Sequence, residues 1–579
     1  MNRNPFAPRT FIWKILRQPD GHAMLLWAVV VGVAGAYATA AFREGIDLLQ
    51  KCFGGEPGNF VEMARHMPWP ARVALPTVGG LIAGICLVLA RRSSSKSGAD
   101  YMEAVTIGDG VVPVWQSMWR SISSLFTIAS GGSIGREGSM VQLAALCSSM
   151  IGRWVRFDPA RLRTLVACGA AAGITSAYNA PIAGAFFVTE VVLGSMAMEW
   201  FGPILVSSVV ANITMREFAG YRPPYQMPVF PTVTGIEVLP FIVLGLLCGV
   251  LAPRFLRLLS ASKKGFGKVP LPLPLKLGLG GLIVGVVSIW APEVWGNGYE
   301  VVNSLLHQPW TWTALLIVLA LKVIATLATA GTGAVGGVFT PTLFVGAVVG
   351  CLFGVSVHGI WPHTTSEPFA YVIVGMGAFL AGATNAPLMA ILMIFEMTLS
   401  YQVVLPLMLS CVIAYFAARN AEHTSMYETT VRRNRAQRDR LRLAATRMRE
   451  LMKPAETVVT LDASVEELTR MFLAHPVKYL YVVDEQQRFC GVVALEDLAS
   501  DHIASPQSPR RTTAADYLLP DFHVLTPDMT LGQGLQLFLN FRGERLPVID
   551  PKSKSAPILG VVHKTSLLDA YVRMNPATL

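Results

Sequence analysis

Long apolar runs follow one another from about Ala23 to Ala421, while polar residues gather at the two ends and in the last quarter of the chain. The clearest runs are Ala23–Ala41, Leu75–Ala90, Leu277–Trp290, Trp312–Ala330, Phe369–Leu380 and Val403–Ala418. Several approach the roughly 20 residues that carry a helix across a bilayer, and others are too short. Short runs broken by glycine predict tilted, broken or re-entrant helices. Non-helical backbone at that depth is stable only where protein buries it or water lines it. The pattern therefore predicts an α-helical polytopic membrane protein with an internal pathway.

The apolar part repeats itself. NAPIAGAFFVTE (Asn179–Glu190) recurs as NAPLMAILMIFE (Asn385–Glu396), with Asn, Pro and Glu in register and Gly169 and Gly375 at matching offsets upstream. Further upstream, GSIGREGS (Gly132–Ser139) pairs with GAVGGVFT (Gly333–Thr340). A glycine loop entering a helix, followed by an Asn-Ala-Pro segment, occurs twice and implies a duplicated unit. Duplicated transporter halves place their site where the repeats meet, with broken helices pointing their N-termini inward.

Composition sharpens this picture. Of 579 residues 53% are hydrophobic and only 15% charged, against about 25% charged in soluble domains, and the mean hydropathy is +0.48. Soluble enzymes, disordered chains and fibrous proteins are excluded. The net charge of +10 is concentrated in the first 22 residues and in the arginine-rich stretch Arg432–Lys453. The positive-inside rule then puts both flanks in the cytoplasm, and a basic membrane flank needs no nucleic-acid partner. The N-terminal arm lacks the pattern of a cleavable signal. Eight cysteines stand singly with no CxxC, and ten histidines are dispersed with no HExxH. Neither metal ligation, a cofactor nor enzymatic chemistry is expected.

Pro454–Leu579 has soluble composition and its own repeat. YLYVVDEQQRFCGVVALEDL (Tyr479–Leu498) and RLPVIDPKSKSAPILGVVHKTSLLD (Arg545–Asp569) each read as strand, turn, strand and helix start. The segment resembles a tandem CBS pair, an α/β module. The expected organisation is an N-terminal arm (1–22), a membrane domain (23–430, halves about 23–220 and 235–430), a basic linker (431–453), and CBS repeats at 454–506 and 514–579.

The glycine loops Gly131–Met140 and Gly331–Thr342 carry none of the clustered oxygens a hard cation needs. They offer backbone N–H groups at helix starts instead. A helix N-terminus carries about half a positive charge and receives anions. Two such ends converging would hold a small anion weakly enough to release it.

With Gly135–Gly138 (G-R-E-G), Gly336–Pro341 (G-G-x-F-x-P) and the paired Asn-Ala-Pro segments, the chain resembles the CLC chloride channel and transporter family. Asp100–Ala104 and Trp295–Tyr299 are most similar to its bacterial ClcB-type branch. The resemblance implies two inverted halves and a homodimer in the bacterial inner membrane, each subunit with its own pathway for chloride and related monovalent anions. By motif, the amides of Arg136, Glu137 and Gly138 serve an outer site and those of Val338 and Phe339 a central one. By the same resemblance the Tyr427 hydroxyl is expected to face the central site. Ser97 stands for the family's serine, in a loop that departs from its pattern, and Ser139 replaces the usual proline. Glu137 is expected to gate: a carboxylate at membrane depth is functional by default, and protonation would release it from the anion's place. In coupled members the segment matching NAPIAGAFFVTEV ends in two glutamates. Here Val191 follows Glu190, which favours a gated channel. The alternative is a chloride/proton antiporter using Glu137 and Glu190. In the CBS pair, the positions that would hold a nucleotide are Ala494, Asp497, His563 and Ser566. Only Asp497 keeps the pattern, so a weak nucleotide site at most is expected.

Overall fold

The computed structural model describes residues 21–55, 58–93, 100–106, 108–194, 198–218, 225–226, 228–231, 235–421, 425–427, 446–504, 512–539, 541, 543–551 and 556–574. It divides into two compact units, 1–432 and 433–579. Most of the N-terminal arm and of the basic linker lies outside the described residues, as does Ser97.

Among the described residues of the first unit, six helices are long and apolar enough to span a bilayer: Ala23–Cys52, Trp69–Arg92, Gly235–Lys268, Trp312–Gly331, Phe339–Ile360 and Tyr401–Ala421. Shorter apolar helices, among them Pro368–Thr384 and Pro387–Thr398, sit in the core between them. Without water to drive association, such helices approach through small residues. A Cβ on Gly346 would stand 2.5 Å from the Gly375 carbonyl, and one on Gly245 would stand 2.7 Å from that of Ser410.

The Asn-Ala-Pro segments break helices in the same way twice. Pro159–Tyr178 ends at Asn179 with φ +60, and Pro368–Thr384 ends at Asn385 with φ +57. Asparagine is the non-glycine residue that best tolerates this left-handed cap. One alanine later, Pro181 and Pro387 open new helices at the position where a missing N–H costs nothing. Each new helix is capped by the other repeat's glutamate. Glu396 accepts from the N–H groups of Ile182 (2.9 Å) and Ala183 (2.8 Å), and Glu190 accepts from those of Leu388 (3.4 Å) and Met389 (2.8 Å).

The glycine loops also match, in a register one residue away from the expected one. Gly131 (φ +95) corresponds to Gly333 (φ +97), and the helices that follow begin at Glu137 and Phe339, with Arg136 and Val338 before them. The sequence alignment set Gly132 against Gly333 because it followed glycine identities. The turn's left-handed position and the helix start set the true register.

In the second unit, β1 (Val458–Thr460) runs parallel to β2 (Tyr479–Val483), and β2 antiparallel to β3 (Phe489–Ala494). β4 (Arg545–Ile549) and β5 (Ile558–His563) form the corresponding hairpin, with Leu525 bridging Val548 in parallel as Val459 meets Val482. The lead-in segments are exchanged between repeats. Lys453 pairs with Val561 in the second repeat, and Leu519 pairs with Val492 in the first. Met448 is fully buried beside Leu531, Phe538 and Leu567. Residues 448–453, read from sequence as linker, are thus part of the folded unit: their arginine-rich neighbourhood masked the buried Met448 and the half-buried Met452 packed against the same core.

Candidate functional site

The two glycine loops are joined by their own backbones. Gly135 donates to the Gly337 carbonyl and Gly337 to that of Gly135, both at 2.8 Å. Gly336 fits only because it has no side chain, since a Cβ there would stand 2.8 Å from Ile134 and 2.9 Å from the Gly135 carbonyl. The loops place the starts of Glu137–Val155 and Phe339–Ile360 side by side, with their first N–H groups unused by their own helices.

Glu137 opens the first of these helices and is 2% exposed. Its side chain folds back over Gly135, where a Cβ would collide with Oε2. Oε1 accepts from the Tyr299 hydroxyl at 2.9 Å and from the Thr340 hydroxyl. Thr340 also lies 2.9 Å from the Tyr178 hydroxyl. Oε2 is buried and has no hydrogen-bond partner. A buried, half-satisfied carboxylate is costly. Arg136 is not its ion partner: the guanidinium lies 5.3 Å over the Tyr299 ring.

A cavity of about 360 Å³ adjoins it, lined among others by Glu137, Gly138, Val338, Phe339 and Tyr427. The structure thus gathers the sequence-named residues of both loops and the distant Tyr427 around one space. Arg136 stands beside it as the residue before the helix. Tyr427 reaches the cavity because Met426 donates to the Ala383 carbonyl (2.9 Å) and Ser425 to that of Thr384 (3.1 Å), and its ring packs edge-on to Phe187 at 5.9 Å. Asp100, Arg120 and Lys263 bring charge to the same lining. Glu190 does not line it; its carboxylate is spent on the helix cap described above.

Sequence reasoning gave Tyr299, Thr340 and Tyr178 no part, although all three lie in or beside quoted motifs. Lys322 was also missed. It is 1% exposed inside the span Trp312–Gly331, and donates to the carbonyls of Val294 (2.8 Å), Trp295 (3.3 Å) and Gly296 (2.8 Å). It therefore pins the turn that presents Tyr299 to Glu137. A lone lysine in an apolar run was the available signal.

Residues 78–419 match the family described as "Voltage gated chloride channel". The chain belongs to this family. Its members carry chloride across membranes as channels or transporters, and the multi-pass, mostly helical fold follows. Residues 448–501 and 514–573 match the CBS domain. The chain is 53% identical over 425 residues to a Ralstonia nicotianae protein named chloride channel protein ClcB-like, covering 72% of this chain and 99% of that protein. It is 39% identical over 412 residues to the Escherichia coli voltage-gated ClC-type chloride channel ClcB, covering 70% and 97%. Among solved structures, a slow cyanobacterial Cl−/H+ antiporter aligns with a TM-score of 0.64 at 27% identity, over 71% of this chain and 97% of that one. A eukaryotic CLC transporter shares the fold at TM-score 0.61 and 18% identity, over 96% and 98%.

Proposed function

We propose that the chain is a gated chloride channel of the bacterial inner membrane, opened by protonation of Glu137. It works as a homodimer with one pathway per subunit and both termini in the cytoplasm. The observation that carries this reading is the placement of Glu137: at the start of an anion-attracting helix, bordering the cavity, with one carboxylate oxygen unpaired. Ionised, the side chain occupies the place an anion would take at the amides of Arg136, Glu137 and Gly138. Neutral, it loses its attraction to that helix end and vacates it. Chloride then passes to the amides of Val338 and Phe339 and the hydroxyl of Tyr427. Hydrogen-bond donors without a full charge bind weakly enough for flux.

The antiporter reading draws on the cyanobacterial Cl−/H+ antiporter among the similar structures. Against it, Val191 has no titratable group and the Glu190 carboxylate already caps a helix. Purified protein in liposomes decides: chloride efflux is expected to rise as pH falls, and Glu137→Gln to be active and insensitive to pH. A chloride gradient that drives protons uphill at a fixed ratio would replace the channel reading by the antiporter one. Equal pH dependence in both proteins would remove Glu137 from the gate.

A further inference from the structure

Two helices flank the cavity beside Glu137, and their cross-links set their register. Val112, just before the helix Val114–Ala129, donates to the Ser149 hydroxyl at 3.0 Å. Gln142 donates to the Ser117 hydroxyl at 3.0 Å. Numbers rise along one helix as they fall along Glu137–Val155, so the two run antiparallel. One turn beyond the Gln142–Ser117 bond stand Ser121, four residues after Ser117, and Ser139, three residues before Gln142. Residues spaced by three or four share a helix face, so both serines continue the facing rows toward the glycine loops.

Both line the cavity. Ser139 is 2% exposed and Ser121 4%, and neither hydroxyl has a hydrogen-bond partner. Buried hydroxyls are ordinarily paired. In a helix such a hydroxyl commonly bonds back to the carbonyl one turn earlier. Thr127 and Ser148 do this on the same two helices. Ser121 and Ser139 do not, and two donors facing one cavity await an acceptor. Arg120 and Lys263 add positive charge to that lining, and Asp100 opposes them.

We infer that Ser121 and Ser139 form a two-hydroxyl subsite for a halide-sized monovalent anion on the wall of the cavity, distinct from the loop amides and from Tyr427. The inference rests on the anion-pathway reading above. The two hydroxyls act as neutral donors to the ion, adding affinity without fixed charge, which suits a site that must release what it binds.

The test is chloride binding to the full chain in detergent by titration calorimetry, with chloride-dependent melting as a second measurement. Ser121→Ala and Ser139→Ala are each expected to weaken chloride by about tenfold, the size of one hydrogen bond to a charged group, and the double variant by more. Ser139→Thr, which keeps a hydroxyl, is expected to retain most of the affinity. Ser124→Ala serves as the control: this hydroxyl is also buried and unpaired on the first helix, but it does not line the cavity. It is expected to bind like the wild type. Wild-type affinity in Ser121→Ala, Ser139→Ala and the double variant, with chloride still shifting the melting point, overturns the subsite alone. No chloride binding by the wild type overturns the subsite and the anion-pathway reading together.

Discussion

The phenol of Tyr299 donates to Oε1 of Glu137 at 2.9 Å, and the same ring carries the Arg136 guanidinium at 5.3 Å. The residue that holds the Glu137 carboxylate is thus itself fixed by the chain neighbour of Glu137. Tyr299→Phe removes one hydrogen bond to the carboxylate and leaves the ring packed. A bond to a charged group contributes about 1.5–3 kcal/mol, so the side chain leaves its site more readily. Chloride efflux at neutral pH is expected to rise about tenfold with little change in melting temperature. Unchanged efflux would show that Tyr299 does not restrain Glu137.

Glu190 and Glu396 cap each other's repeat, so their losses should be alike. Glu190→Gln and Glu396→Gln replace charge-assisted bonds to helix N-termini with neutral ones. Each is expected to cost about 1–2 kcal/mol, read as a lower melting temperature of the detergent-solubilised chain. The pH dependence of chloride flux is expected to survive in both. Loss of pH dependence in Glu190→Gln alone would give that residue a role in proton movement.

The CBS unit is expected to bind ATP and AMP weakly or not at all. Asp497 is half-buried on the helix after β3, but Ala494 and His563 occupy the positions where the nucleotide-binding pattern has hydroxyls, and Ser566 stands where it has an aspartate. Calorimetry on residues 446–579 showing micromolar affinity would overturn this expectation.

His563 makes the same unit sensitive to acid. Burial, reinforced by the charges of Arg545 and Lys453, holds its imidazole below the ordinary value of 6.5. The unfolded chain therefore takes up a proton at higher pH than the folded one. The associated stability is fully present above about 6.5 and is lost as pH falls through the lowered folded value. Urea unfolding between pH 7.5 and 5 is expected to show this decline, and His563→Gln to flatten it. Parallel curves for both proteins would remove His563 as the cause.

How far the sequence carried the fold depended on what each residue must do alone. Asn179, Pro181 and Glu190 announced themselves because a left-handed cap, a helix start and an acid in an apolar run each tolerate few residue types, and their twins recur in register. The glycine loops misled by one position because identical glycines slide past one another without penalty in an alignment. In the fold, Gly131 and Gly333 are fixed by φ near +95. Glu137 was legible as a charge in an apolar setting. Tyr299 and Thr340 were not, since a tyrosine or threonine at membrane depth is unremarkable until the distant chain it meets is known. Ser121 was invisible for the same reason, being one of several serines on an amphipathic helix.

Lys322 bears on how the protein is made. Its span must enter the bilayer with a charge that costs roughly 2.5–3.5 kcal/mol at the centre of a lone helix. The carbonyls that receive that charge belong to Val294, Trp295 and Gly296, and Glu300, the acid near enough to act on it, also precedes it in the chain. Synthesis therefore delivers the acceptors before the donor. The ribosome has already released the turn that ends in Tyr299 when Lys322 emerges, and the lysine can dock as it inserts instead of waiting unpaired in lipid. Order of translation thus supplies every acceptor of Lys322 before its own span is made, with the rest of the membrane domain still to follow.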